Sequence, residues 1–367
     1  MPNFSGSWTV GQQMQAIAAG LWPSLPGATT IGTATAGSGS ATVTFTAPVT
    51  GYPTTFTFTA TSSPSGITGT GATSPITVSG LSNGTPYTFT VTATNSAGTG
   101  PASSASNSAT PVAATSVQYL IIAGGGGGSG GGGGAGGLLT GTTNLTGAYT
   151  VTVGSGGALN SQTATSASNG NNSLITGLTA IGGGGGGGAY ALTNGLNGGS
   201  GGGGSLGSGS TGTATGGTAT SGQGFAGGSA TASSYYGWVA GGGGGAGAVG
   251  ASAANYDTGG PGTRAGAGGA GLASSITGSS VTYATGAMGY FNTYGADGTA
   301  NLGDGGHGSR TAQAGSQGWN GSSGVVIVAY LNSSPALTIG VGLTYDQPTR
   351  SGYRVYRFTA GTGTVTF

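Results

Sequence analysis

Residues 119–137 read YLIIAGGGGGSGGGGGAGG, and their interpretation decides the fold. The apolar run Tyr119-Leu120-Ile121-Ile122-Ala123 has the length and composition of a buried strand. It leads straight into glycine blocks at 124–128 and 130–134, and further blocks follow at 182–188, 201–204 and 241–245. Glycine loses more backbone freedom on ordering than any other residue, so an isolated run of this kind reads as a flexible tether. Here the blocks leave strand-like runs and recur with Val, Ile, Leu, Tyr and Trp between them, apolar anchors that a tether does not need. The packed alternative is a bundle of polyproline-II-type helices with about three residues per turn and a rise of ~3.1 Å, so that a seven-residue block spans about 20 Å. Such helices have no internal hydrogen bonds, and each N–H and C=O must find a partner on a neighbouring helix. Without side chains the helices can approach closely enough to provide it. Collagen is excluded, because no strict Gly-X-Y period exists and the chain has only 13 prolines beside 90 glycines. The competing reading is a partly disordered low-complexity domain. In a packed lattice, valine at Gly184 and Gly185 has no room and destroys the domain.

The sequence outside the blocks divides further. With 367 residues the chain is long enough for two or three domains. Within residues 1–27, Val10, Met14, Ile17, Ala18 and Leu21 form one helical stripe. Thr9 is its expected N-cap, and Gly20 and Pro23 close it. With Phe4, Trp8 and Trp22, this is more apolar surface than a short helix buries. It either packs on the next domain or acts as a docking peg for a partner or a second copy. Between 28 and 112, ATVTFTAP (41–48), TTFTFTAT (54–61), SPITVSG (74–80) and YTFTVTATN (87–95) alternate apolar and polar residues with turn residues between them. This is the pattern of a β-sandwich.

Several functions are excluded on inventory. Charged residues make up 2% of the chain: five arginines and four aspartates, with no lysine or glutamate. Without lysine there is no phosphate-binding GxxxxGK loop, and the many GxGxxG matches follow from composition alone. Five arginines are too few to track a phosphate backbone, so no nucleic-acid partner is expected. Arg354 and Arg357 are expected at solvent edges of strands, where charge blocks unwanted pairing. The absence of cysteine removes disulfides and thiolate metal sites. Asp304, His307 and Ser309 (GDGGHGS) are triad residue types, but residues this close in sequence seldom form the oriented line that acyl transfer needs. His307 reads as a solvated loop histidine. Asp297 and Asp304 read as a polar turn, with a calcium site as the competing reading. No enzyme, cofactor or metal is expected.

No stretch is both long and apolar enough to span a membrane, and the N-terminus lacks the basic and apolar regions of a secretory signal. A surface made soluble by Ser, Thr and Asn suits an extracellular or particle-bound protein. That combination fits a virion protein released by lysis. The best ligand-site candidates are aromatics on glycine-rich loops: Tyr235, Tyr236 and Trp238; Tyr290, Phe291 and Tyr294; and Trp319. Tyr190 and Tyr256 are weaker cases. The alternative is that these rings plug the ends of the glycine lattice.

Resemblances to known families extend this reading. ITVSGLSNGTPYTFTVTATNSAGTGPAS (76–104) resembles the second half of a fibronectin type III domain, with Leu81 before the turn, Tyr87 at the tyrosine corner and the turn at 95–98. Phe45 stands where that family usually has tryptophan. The resemblance implies a spacer or presentation module. VQYLIIAGGGGG, AYTVTVGSGG, NNSLITGLTAIGGGGGGG, SSITGSSVTYATG and GSSGVVIVAY occur in the order found in glycine-rich modules of phage tail-fibre and related surface proteins. SGYRVYRFTAGTGTVTF (351–367) is similar to a strand pair found beside such modules. In style the region also resembles the distal adhesin of T-even-like phages and the glycine-rich domain of a receptor tyrosine kinase family. Residues 1–27 are similar to leaders on cyanophage virion proteins.

The expected fold is mainly β: a short N-terminal docking helix (1–27), a fibronectin type III-like β-sandwich (28–112), a glycine-rich domain of packed polyproline-II-type helices with β-strands (113–334), and C-terminal β-strands packing on it (335–367). The expected function is host-surface attachment by a phage tail fibre or appendage. Its partners would be other virion proteins, reached through Phe4, Trp8, Met14, Ile17, Leu21 and Trp22, and a host glycan or outer-membrane protein. The alternative is a structural subunit of a self-assembling filament or decoration layer, a homo-oligomer. A bacterial cell-surface adhesin is a third possibility.

Overall fold

A computed structural model describes residues 9–19, 23–50, 52–160, 165–175, 177–233, 237–255, 263–289, 297–309 and 319–367. The chain forms two compact units, Met1–Ala114 and Thr115–Phe367.

In the first unit, α1 (Val10–Ala18) begins at a capping box. The Gln12 N–H donates to the Thr9 hydroxyl at 3.4 Å, and the Thr9 N–H donates to the Gln12 side chain at 3.0 Å. The apolar stripe is not buried: Val10, Met14 and Ile17 are 72%, 67% and 58% exposed. Phe4, Trp8, Leu21 and Trp22 lie outside the described residues.

The sandwich that follows consists of β1 (Thr30–Ala36), β2 (Ser40–Thr46), β3 (Thr57–Ser63), β4 (Thr68–Gly71), β5 (Ile76–Ser79), β6 (Thr88–Asn95) and β7 (Gly98–Thr99). One sheet runs β1-β2-β5 and the other β4-β3-β6-β7. Period-two alternation sends Val43, Phe45, Phe58, Phe89 and Val91 inward. Phe45 packs against Phe58 in this core, ring centroids 4.7 Å apart. Tyr87 is buried, and its hydroxyl accepts the Ser82 N–H at 3.2 Å, closing the tyrosine corner beside buried Leu81. The Asn95 side chain holds the next turn by accepting the Ala97 N–H and donating to the Ser24 carbonyl, both at 2.9 Å.

The second unit is built on an antiparallel sheet. It contains β8 (Thr115–Ile122), β9 (Leu138–Leu145), β10 (Ala148–Thr152), β11 (Ser173–Ile175) and β12 (Leu178–Ala180). The strands Val325–Leu331 and Tyr353–Thr366 lie between β8 and β10, giving the order β12-β11-β10-(353–366)-(325–331)-β8-β9. VVIVAYL is a continuous apolar run because both of its faces are covered: Val326, Val328 and Tyr330 enter one core, and Val325, Ile327 and Ala329 the other.

The C-terminal segment is woven into this sheet. The first half of Tyr353–Thr366 pairs with Val325–Leu331, Phe358 opposite Val326, and the second half pairs with β10, Val365 opposite Tyr149. Leu343–Asp346 pairs with it as well. Arg357 is therefore not at a strand edge, as its charge suggested. It sits between Ile327 and Asp346 in the ladder. Its guanidinium is neutralised by the Asp346 carboxylate, with Nε donating to Oδ1 at 2.9 Å and Nη2 to Oδ2. Arg354 donates from Nε to the Ser334 carbonyl at 3.1 Å.

The glycine blocks form a packed lattice. Residues 120–138 are buried without interruption although most have no side chain, so what they bury is backbone. The hydrogen bonds of residues 123–129 step through their neighbours with a period of three, the repeat of a polyproline-II helix. Ala123 and Gly126 donate to Gly137 and Gly134; Gly124 and Gly127 to Asn171 and Ser168; Gly125 and Gly128 to Ser322 and Trp319, at 2.8–3.1 Å. In each pair the partner's number falls as the donor's rises, so these three neighbours run antiparallel. The carbonyls of 124–129 accept from 183 and 186, from 157 and 160, and from 306 and 309, where both numbers rise together and the neighbours run parallel. The segment thus has six neighbours, and every partner is main chain. A Cβ on Gly126 would collide with the Gly184 carbonyl, one on Gly184 with that of Leu196, and one on Gly185 with that of Ala167. Sterics, not flexibility, require glycine at these positions.

Candidate functional site at one end of the glycine lattice

The bond register locates the two ends of the lattice. At the sheet-side end, Ile122 passes into Ala123, Gly137 into Leu138, and Gly324 into Val325. The opposite end carries Ser129, Asn160, Ser309 and Trp319. Gly132 and Ala135 donate to Gly241 and Gly244, and Gly266 and Gly269 to Ala240 and Gly243, so 240–241 and 266 also lie at this far end. The antiparallel pairs Gly243–Ala287 and Ala246–Ala284 direct the chain back there at Gly289. The described residues flanking 161–164, 234–236, 256–262, 290–296 and 310–318 therefore gather at one end of a rigid bundle.

This end is capped by short strands. Ser205–Leu206, Trp238–Ala240 and Thr263–Ala265 form one small sheet, and Gly212–Ala214, Ala230–Ala232 and Ala253–Asn255 another. Leu206, Val239, Ala214, Ala230, Ala232 and Ala253 fill the space between them. Trp238 packs over Ala189 and Ala240 and meets the Tyr190 ring edge-on at 5.5 Å. It is half-buried and serves at least in part as a plug, whereas Tyr190 and Leu192 remain 44% and 45% exposed. Trp319 is half-buried; its carbonyl accepts the Gly128 N–H at 2.8 Å and its N–H donates to the His307 carbonyl at 3.2 Å. Tyr235, Tyr236, Tyr256, Tyr290, Phe291 and Tyr294 lie outside the described residues.

The polar residues of 297–309 hold the backbone in place. The Asp304 carboxylate accepts the Thr285 N–H at 2.9 Å, and that of Asp297 accepts the Asn320 N–H at 2.8 Å. Burial pushes the Asp304 carboxyl above its ordinary range. His307 is not a solvated loop residue: it is half-buried, and desolvation lowers its pKa. Ser309 is 2% exposed, with its N–H bonded to the Ser129 carbonyl. Among the described residues no group of three or more His, Cys, Asp or Glu side chains lies close enough together to hold a metal ion.

Asparagine has a role that the composition alone did not suggest. Asparagine side-chain carbonyls serve as acceptors for backbone N–H groups of adjacent segments. Asn169 and Asn172 accept from Gly185 and Gly182, and Asn194 and Asn197 from Thr215 and Thr218, at 2.8–2.9 Å. Both pairs are spaced by three, one turn of the helix. That spacing, visible in NGNN and NGLN, is the signal that could have located them.

These features define a two-module β protein, a seven-stranded sandwich and a polyglycine lattice mounted on a sheet. The chain belongs to the family described as glycine-rich domain, whose model matches residues 100–331, over half its length. Residues 26–109 match the fibronectin type III domain. A search of the curated proteins finds no match. The pair of modules marks a structural or adhesion-type protein.

Proposed function

We propose that this is a non-enzymatic phage virion protein, part of a tail fibre or similar appendage, that attaches the particle to its host. The N-terminal segment docks on other virion proteins, and the sandwich presents the lattice. Loops at the far end of the lattice contact a surface glycan or outer-membrane protein. One observation supports the reading: the described residues that flank five segments of the chain converge on the end of the lattice away from its sheet. A rigid support carrying clustered variable loops is how proteins commonly position recognition surfaces. The test is immunogold labelling of source particles with an antibody to the sandwich, combined with competition for adsorption by soluble protein. Label at appendage tips and slowed adsorption are expected. A second competitor, with 290–296 and 310–318 replaced by Gly/Ser, is expected to have no effect. Label spread along a filament or over a capsid would overturn the attachment role.

A structural subunit is the second reading, favoured by the exposed stripe Val10, Met14 and Ile17 and by a surface with almost no charge to oppose close assembly. Concentration-dependent polymers in sedimentation would support it.

A further inference from the structure

Arg350 lies against the sheet, beside Gln118 and Tyr353. Its Nη1 donates to the Gln118 side chain at 2.8 Å and to the Ile276 carbonyl at 3.3 Å, and its guanidinium carbon sits 3.8 Å from the centroid of the Tyr353 ring. Two neutral acceptors and a ring orient the group without cancelling its charge. Among the described residues, the ion pair is Arg357 with Asp346, while Asp297 and Asp304 are engaged with Asn320 and Thr285. Arg350 is a fixed cation that no carboxylate among the described residues pairs with.

It faces a cleft of about 310 Å³. Gln118 pairs with Thr142 and Leu120 with Thr140, so Gln118, Thr140 and Thr142 share one face of the β8–β9 ladder. Ser274 and Ser275 line the same cleft. Its volume is at the small end of the range for ligand pockets, roughly 300–1,000 Å³. A second cleft of about 450 Å³, lined by Phe225 and Leu272, shares Thr140 with the first. Both of those side chains are 43% exposed. The result is a groove with a positive charge and hydroxyls at one end and an apolar floor at the other.

We infer that this groove binds an acidic saccharide, the sugar carboxylate on Arg350, its hydroxyls on Thr140, Thr142 and Ser275, and the apolar face of the adjoining sugar on Phe225. A guanidinium matches a carboxylate better than any other side chain does, because its planar N–H donors pair with both oxygens. Hydroxyl and amide side chains suit sugar hydroxyls, and an aromatic ring covers the C–H face of a pyranose. The site uses none of the residues proposed for host attachment and does not depend on their role.

The test is calorimetric or NMR titration of the full chain with a β-linked disaccharide containing one glucuronate, with its methyl ester, and with inorganic sulfate. The acid is expected to bind at least about tenfold more tightly than the ester, the loss typical of a charge-assisted hydrogen bond. Arg350→Gln should abolish that preference. Phe225→Ala should weaken the disaccharide while leaving free glucuronate unchanged. If Arg350→Gln lowers the melting temperature, Ser275→Trp, which fills the cleft from an exposed position, should block binding in its place. Equal binding of acid and ester, or acid binding unaffected by Ser275→Trp, would overturn the proposal. Sulfate binding as tightly as the disaccharide would reduce the site to one for simple anions and refute the saccharide assignment.

Discussion

The lattice makes one strong demand: a single methyl group inside it should be ruinous. In Gly126→Ala the new Cβ collides with the Gly184 carbonyl. Segments 123–129 and 182–187 must then separate, breaking the bonds from Gly183 to Gly124 and from Gly186 to Gly127, now 2.9 and 3.0 Å. Moving segment 123–129 the other way crowds Gly134, which accepts the Gly126 N–H at 2.8 Å. Each buried hydrogen bond left unmade costs about 1–3 kcal/mol, so two cost about 2–6 kcal/mol. That is a large part of a typical domain stability of about 5–15 kcal/mol. For a unit of this size it corresponds to a fall of about 5–20 °C in the melting temperature. The comparison is Gly340→Ala, whose Cβ would come no closer than 3.2 Å to the Thr364 carbonyl. That variant should melt within about 2 °C of the parent, as surface substitutions usually do. Calorimetry of the full chain, following the transition of the second unit, measures both. If Gly126→Ala melts like the parent, the packed lattice is wrong.

Two further outcomes follow from the geometry. Tyr87→Phe removes the acceptor of the Ser82 N–H and should destabilise the sandwich by about 1–2 kcal/mol, read from its own denaturant transition. The second concerns pH: burial raises the Asp304 carboxyl above 3.8, so the folded state binds this proton more readily than the unfolded state. Its contribution to stability is complete below 3.8 and is lost as pH rises through the folded value. Asp304→Asn keeps an oxygen for the Thr285 N–H and should raise the stability of the second unit at neutral pH, flattening the slope just above pH 3.8. His307 acts in the opposite direction: its pKa is lowered below 6.5, so its contribution is present above that pH and lost as pH falls.

How much of this was legible depended on whether side chains carried the pattern. The sandwich could be read because alternation and corner residues such as Leu81 and Tyr87 specify it. The buried runs YLII and VVIVAY marked the sheet for the same reason. The glycine blocks announced a lattice by recurrence, but their directions were hidden: a helix without side chains has no face, and either sense satisfies its bonds. Arg357 was misread because Asp346, its partner across the ladder, is joined to it only by the fold. His307 was misread because the backbone around it, not its own neighbours in sequence, decides its burial. Among the aromatic candidates, Trp238 turned out to rest on Tyr190, a contact across a glycine block that spacing could not reveal.

The lattice buries peptide groups where most domains bury hydrocarbon, and this changes how the protein responds to temperature. On unfolding, exposed apolar area raises the heat capacity by about 0.45 cal/K/mol per Å², while exposed polar area lowers it by about 0.26. A core of main chain therefore carries a small heat-capacity increment, and its free energy curve against temperature is nearly straight. Cooling therefore strengthens the lattice almost in proportion to the distance below its melting temperature, while the apolar cores of the sheet beside it keep the hydrophobic term that fades in the cold.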